Sequence, residues 1–116
     1  MKAQLNLDDT SLFREACYID GEWRDADSGD TIEVTNPASG KVLGTVPKMG
    51  AGETRRAIEA ANAAYPSWRA KTAKERAAIL RKWFDLMMEN QKDLATLMTA
   101  EQGKPFKESM GEISYA

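Results

Sequence analysis

Residues 72–98 read TAKERAAILRKWFDLMMENQKDLATLM, and the spacing of their apolar side chains predicts a long amphipathic helix. Thr72 and Glu75 match a capping box, in which the threonine hydroxyl accepts from the amide of residue 75 and the glutamate reaches back to the threonine amide. Behind this box, apolar residues recur at the three- and four-residue spacing of one helix face, namely Ala77, Leu80, Phe84, Met87, Met88, Leu94, Ala95 and Met98. We therefore predict one helix over residues 73–101, with Gly103 as its stop.

The sequence after this helix predicts a corner and a further helix. Residues 101–105 read EQGKP, in which the glycine allows a reversal and Pro105 suits a first helical turn. Phe106, Met110 and Ile113 then follow at i, i+4 and i+7. The pattern is still helical at Ala116, so we expect the sequence to stop within a helix, and we interpret the corner as structural before functional.

A second amphipathic helix is predicted before residue 72, because the character of the chain changes at Gly50. One apolar stripe comprises Ala57, Ile58, Ala61, Ala64, Tyr65 and Trp68. Pro66 lacks an amide hydrogen, so the helix is expected to kink or to end there.

The first third of the chain predicts a small antiparallel β unit. Asp20-Gly21 between β-prone residues favours a type I′ hairpin, and residues 31–35 alternate apolar and polar side chains as a half-buried strand does. The turn at residues 36–40 leads to a strand at 41–46. The first ten residues are interpreted as a mobile polar arm, followed by a short helical turn within 11–16. Strands this short need another layer to pack on.

Composition excludes several classes of function. The 116 residues carry 16 Lys and Arg against 18 Asp and Glu, for a net charge of -2, with one cysteine and no histidine. Histidine-dependent nucleophile sites and the usual Cys/His zinc sites are therefore absent from this sequence. The charge balance argues against a nucleic-acid partner, and no apolar run is long enough for a membrane. The single thiol is compatible with a reducing compartment, so we predict a cytoplasmic location.

Three features invite a chemical interpretation, and each has a structural one beside it. Residues 50–55 (GAGETR) follow a strand and open a helix, but Arg55 replaces the third glycine of a dinucleotide turn, so a helix entry loop is favoured. Cys17 has no activating neighbour visible in the sequence and is interpreted as a structural thiol. A basic stretch flanked by Trp68 and Trp83 is interpreted as a solvated or interface face, and contains Arg69, Lys71, Lys74, Arg76, Arg81 and Lys82.

Seven short motifs occur in an order that resembles the N-terminal portion of the aldehyde dehydrogenase superfamily, and within it the succinate-semialdehyde dehydrogenase group. The resemblance covers residues 12–116 and rests on YIDGEW at 18–23, TNPASG at 35–40, VPKMG at 46–50, TAKER at 72–76, WFDLMM at 83–88, EQGKP at 101–105 and GEISYA at 111–116.

The resemblance implies an α/β fold of which this chain supplies an antiparallel β-hairpin unit followed by amphipathic helices. It places residues 1–15 as an N-terminal arm and 16–116 as the first part of a cofactor-binding domain. The family oxidises an aldehyde to a carboxylate with NAD or NADP through a cysteine thiohemiacetal, stabilised by an oxyanion hole. The residues for those steps lie beyond residue 116, so no catalytic, cofactor-binding or metal-binding residue is assigned here, and Cys17 does not inherit the nucleophile's role. Some members hold a structural cation near positions that map to the Val34 or Thr35 carbonyl and Glu101, which is too few ligands for an assignment.

Two hypotheses follow. In the first, the chain is a scaffold fragment of an oligomeric dehydrogenase, inactive alone, whose partners are the rest of the same enzyme chain and, in the full-length form, a small aldehyde. In the second, it is a stand-alone α+β interaction module without catalysis. On the first hypothesis, the isolated chain is expected to associate or to pack loosely, because its apolar stripes lack a partner.

Overall fold

The structure is a computed structural model that describes residues 4–116. Two two-stranded antiparallel sheets precede four helices, which confirms the predicted fold class. The elements are a 3-10 turn at Thr10–Leu12, β1 (Cys17–Ile19), β2 (Glu22–Arg24), β3 (Thr31–Thr35), β4 (Val42–Pro47), α1 (Ala51–Ala70), α2 (Ala73–Glu89), α3 (Gln91–Gln102) and α4 (Phe106–Tyr115). None of these helices is both long enough and apolar enough to cross a membrane.

The β1–β2 hairpin forms as the Asp-Gly pair predicts. Asp20 and Gly21 have φ values of 52° and 78°, and two consecutive positive values are the requirement of a type I′ turn. Across the ladder Tyr18 faces Trp23, and their ring centroids are 5.2 Å apart. This aromatic pair fixes the register of two strands of only three residues each.

The turn between β3 and β4 is held by the side chain of Asn36. Its Oδ1 accepts from the amides of Ala38 (2.9 Å) and Ser39 (3.3 Å), and the amide of Gly40 donates to its carbonyl at 2.8 Å. The predicted strand at 31–35 is confirmed, and the second strand begins and ends one residue later than predicted.

Helix α1 does not end at Pro66, so the expectation of a stop there is wrong. The helix runs through the proline to Ala70, and the amide of Lys71 closes it on the carbonyl of Trp68 at 3.2 Å. A proline this close to the end interrupts the hydrogen bonds of only the final turn.

The single helix predicted for residues 73–101 is also wrong, because it is divided at Asn90 into α2 and α3. The Asn90 side chain donates to the carbonyl of Leu86 at 2.9 Å, while its φ and ψ of -106° and 17° leave the helical range. Asparagine competes with the helix by bonding the backbone locally, and apolar periodicity alone does not detect such a break.

The α3–α4 corner forms as predicted. Gly103 ends α3 with φ 79°, and its amide donates to the carbonyl of Thr99 at 2.9 Å. The fully buried Ser109 shares a hydrogen bond of 2.8 Å with the Thr99 hydroxyl, and Gln91 donates to the carbonyl of Met110 at 2.9 Å. Small and branched residues fill the contact between the two helices, with Ala95, Ala100 and Ile113 buried.

The described residues divide into two compact units. One contains the chain up to Arg14, Glu33–Gly44 and Arg81–Ala116, and the other contains Glu15–Ile32 and Thr45–Leu80. In the first unit the amides of Asp8 and Asp9 donate to Asp93, so this part of the N-terminal arm is bonded to α3 and the prediction of a mobile arm is wrong there. Residues 1–3 of that arm lie outside the described residues. The predicted helical turn is present as the 3-10 turn, shifted toward the N-terminus.

Candidate functional site

The N-terminus of α1 is occupied by a carboxylate of its own helix. Glu53 is buried, with 9% of its surface exposed; its Oε2 accepts from the amide of Gly50 at 2.9 Å and its Oε1 from the amide of Asp27 at 3.0 Å. Hydrogen bonds from its own backbone amide, and then from those of Asp27 and Gly50, lower the pKa of Glu53. The GAGETR segment is therefore a helix entry loop, because the positive end of α1 is already neutralised by a side chain.

A polar pocket of about 400 Å³ lies beside this cap. Its lining includes four carboxylates and two guanidinium groups, together with Ile19, Met49 and Ala60; the charged residues are Asp20, Arg24, Asp25, Asp27, Glu53 and Arg56. Arg56 Nη2 donates to both oxygens of Asp27 at 2.8 and 2.6 Å, and this hydrogen bond raises the pKa of Arg56. Among residues 4–116 no buried side-chain nitrogen or oxygen lacks a hydrogen-bond partner. The pocket is thus a closed set of ion pairs and caps.

Cys17 lies half-buried on β1, in agreement with a structural thiol. The sequence indicated no cation near it, but the ladder register places Arg24 directly opposite. That guanidinium donates to Glu22 at 2.7 Å. The strand pairing missed in the sequence therefore brings a cation to the same face of the hairpin, where a carboxylate already holds it.

The EQGKP corner is built as a joint between segments. Lys104 forms an ion pair with Glu112 of α4, and Gly103 lies so close to Pro37 that an added Cβ would be 2.8 Å from the proline Cγ. The Asn-Pro turn and the corner named in the cation prediction are therefore neighbours. Within the described part of the chain no three Cys, Asp or Glu side chains form a group suited to a metal ion, and Glu101 is exposed.

The basic stretch is distributed over ring faces, helix ends and solvent. Arg69 lies 5.6 Å from the ring centre of Tyr65, and Arg81 lies 5.2 Å from that of Phe84. Its one acid, Glu75, completes the predicted capping box by accepting from the Thr72 amide at 2.7 Å. These arrangements support the solvated interpretation, because the stems of the cations cover apolar rings.

The apolar faces of α1 and α2 are exposed. On α1, Ile58 is 64% exposed and Tyr65 is 54% exposed. On α2 the exposed apolar residues are Ile79, Leu80, Trp83 and Leu86, with Trp83 at 63%. Such faces are typical of surfaces that another layer of protein covers. What these described residues can do is dock and support, since they present no nucleophile paired with a base.

Sequence reasoning missed two buried carboxylates that organise the structure, Glu53 and Asp93. A signal existed for Glu53, because a glutamate three residues after a glycine that opens a helix is the pattern of a capping box. No local signal existed for Asp93, which bonds residues 84 and 85 positions away in the chain.

Comparison with known proteins identifies the family. The profile of the aldehyde dehydrogenase family matches residues 23–116. A glutarate-semialdehyde dehydrogenase from Pseudomonas putida is 68% identical over 112 residues, and an NADP-dependent succinate-semialdehyde dehydrogenase from Escherichia coli is 66% identical over 112; in each case the match covers 97% of this chain and 23% of the relative. This chain therefore spans about a quarter of the length of these relatives.

Solved structures give the same result for the fold. The crystal structure of an Escherichia coli NADP-dependent enzyme superposes with a TM-score of 0.92 at 66% identity, over 95% of this chain and 23% of that one. An aldehyde dehydrogenase from Brucella melitensis biovar abortus gives a TM-score of 0.94 at 53% identity, over 97% and 23%. The chain belongs to the aldehyde dehydrogenase family, as the resemblance of its N-terminal motifs implied.

Proposed function

We propose that this chain is the N-terminal scaffold of an NAD(P)-dependent dehydrogenase that oxidises a semialdehyde to a carboxylate. The observation that carries the proposal is the extent of the match, at 66–68% identity over 97% of the chain, to two semialdehyde dehydrogenases of which it spans 23%. The chain's contribution is structural, because its hairpins and helices offer faces for the rest of an enzyme. A stand-alone interaction module remains the alternative outcome of the test below.

The described residues do not fit the cofactor themselves. A dinucleotide needs free amides at a helix N-terminus for its phosphates, and the carboxylate of Glu53 occupies that position on α1. Two negative groups cannot share one such site. We therefore assign no step of the cofactor chemistry to this chain.

The substrate class that we propose is an aldehyde with an acid group at its other end. Relatives of this chain are named for glutarate semialdehyde, succinate semialdehyde and 3-sulfolactaldehyde, with identities of 68%, 66% and 55%. These compounds share an aldehyde and an anionic carboxylate or sulfonate. The succinate and glutarate compounds are the first to test.

The experiment is a graft. The matching first quarter of the Escherichia coli succinate-semialdehyde dehydrogenase is replaced by this 116-residue chain, and NADPH formation is followed with succinate semialdehyde. We expect a kcat within about tenfold of the parent, equivalent to less than about 1.4 kcal/mol in activation free energy. The 116-residue chain alone is expected to form no NAD(P)H.

A matched graft carrying Gly103→Asp controls for the supporting role, because this change places a side chain against Pro37. It is expected to lower the yield of active enzyme. A soluble but inactive unmodified graft, or turnover by the 116-residue chain alone, would contradict the proposal; an inactive graft together with a monomeric, cooperatively folding isolated chain would favour the interaction module.

A further inference from the structure

Asp93 is a buried carboxylate that bonds a distant segment of the chain. Only 4% of the residue is exposed, and its two oxygens accept from consecutive amides of the N-terminal arm, Oδ1 from Asp8 at 3.0 Å and Oδ2 from Asp9 at 2.8 Å. Hydrogen bonds to an ionised acceptor are about twice as strong as neutral ones. The arm is therefore held by both oxygens of one side chain.

The same carboxylate occupies the position from which it would cap its own helix. With Asn90 at the N-cap of α3, Asp93 is the third helical residue, whose acidic side chain reaches back to the N-cap amide in a capping box. Here that amide donates instead to the carbonyl of Leu86 at 3.2 Å, and the Asn90 side chain makes no capping bond. Asp93 bonds the arm, and α3 begins without a side-chain cap.

We propose that the N-terminal arm is a releasable strap, and that Asp93 alternates between two partners, the amides of Asp8 and Asp9 when the strap is docked and the amide of Asn90 when it is released. The two arrangements exclude each other because both amide sets need the same oxygens. Docking the strap therefore keeps Asn90 bonded to Leu86 and the α2–α3 junction nearly continuous. Release completes the cap of α3 and sharpens the break at Asn90.

The other charged groups around the strap support docking weakly. Lys92 pairs with Asp8 at 2.9 Å, but both side chains are mostly exposed, and such surface pairs contribute little. Asp9 accepts from the amide of Ser11 at 2.9 Å and so starts the 3-10 turn rather than bonding α3. Glu89, Asp8, Asp9 and Lys92 surround Asp93 in one shallow pocket. The two amide bonds to Asp93 are thus the main lock.

Residue-resolved amide exchange tests the alternation in four chains: the 116-residue chain, its Asp93→Asn variant, a chain that begins at Thr10, and that shortened chain with Asp93→Asn. In the full chain, Asp93→Asn is expected to speed exchange at Asp8 and Asp9 by about tenfold or more, equivalent to about 1.4 kcal/mol, and to leave Asn90 unchanged. In the shortened chain the same change is expected to speed exchange at Asn90 severalfold. Asp85→Asn, on the exposed surface of α2, is the matched control and should change neither.

Two results would overturn the proposal. One is equal exchange at Asp8 and Asp9 with and without the Asp93 carboxylate, including the case in which neither amide is protected. The other is an effect of Asp93→Asn on Asn90 that is the same in both chain lengths, because this would make Asp93 an ordinary structural residue. If Asp93→Asn unfolds the full chain, the comparison of Asn90 within the shortened pair still decides.

Discussion

Replacing Gly103 by alanine tests the joint between the α3–α4 corner and the Asn-Pro turn. Gly103 has φ 79°, and a Cβ there would lie 2.8 Å from Pro37 Cγ. Carbon atoms in favourable contact are about 3.5–4.0 Å apart, so one of the two segments must move by more than half an ångström. Gly29 is the matched control, since it has φ 75° and nothing within 4 Å of its Cβ position.

The magnitude follows from three contributions. The left-handed conformation costs an alanine about 1–2 kcal/mol, and overpacking costs about 1–3 kcal/mol more. Loss of glycine entropy in the unfolded chain returns about 0.4–1 kcal/mol. Gly29→Ala carries the first and third contributions alone, so Gly103→Ala should be less stable than Gly29→Ala by the overpacking contribution, about 1–3 kcal/mol.

The assay is urea unfolding of the 116-residue chain, followed by circular dichroism. With a urea dependence of about 2 kcal/mol per M, the two variants should differ by about 0.5–1.5 M in midpoint. Pro37→Ala removes the opposing Cγ and should abolish most of the difference. Equal midpoints for Gly103→Ala and Gly29→Ala, or no rescue by Pro37→Ala, would refute the reasoning that the corner and the turn are in tight contact.

Three further changes test other parts of the structure. Glu53→Gln removes a carboxylate whose pKa is lowered in the folded chain, so the stability it contributes is present above its ordinary pKa of 4.5 and is lost as the pH falls; the wild type should lose stability in acid more steeply than the variant, and parallel curves would exclude this role. Thr72→Ala removes the hydroxyl that accepts from the Glu75 amide at 3.3 Å and should cost about 1 kcal/mol in the free energy of unfolding, whereas an unchanged urea midpoint would show that the box is idle. The isolated chain should self-associate in sedimentation through its exposed apolar faces, and Trp83→Ser should weaken this while Asp85→Ser, on the opposite side of α2, should not; concentration-independent monomers would contradict it.

Local patterns in the sequence predict the elements whose determinants lie within a few residues. The Asp-Gly hairpin, the Asn-Pro turn, the Thr72–Glu75 box and the Gly103 corner each depend on neighbours within five positions, and each is present. Apolar periodicity placed the helices but not their ends, because Asn90 breaks a helix whose apolar spacing continues through it.

Long-range bonds could not be predicted from the sequence. The Asp93 carboxylate that holds the arm, and the Glu53 bond to the amide of Asp27, join residues far apart in the chain. The exposure of Trp83 depends on what is packed beside it, which periodicity does not report. Family membership was predictable because several short motifs in a fixed order are far more specific than any one of them.

The central claim is that the apolar faces of α1 and α2 belong inside a larger enzyme. Hydroxyl-radical oxidation of Tyr65 and Trp83, compared between the isolated chain and the grafted dehydrogenase, measures it directly. The urea-unfolded graft supplies the fully exposed reference. Oxidation at both residues should be near the unfolded rate in the isolated chain and severalfold slower in the graft, whereas equally fast oxidation in an active graft would contradict the account.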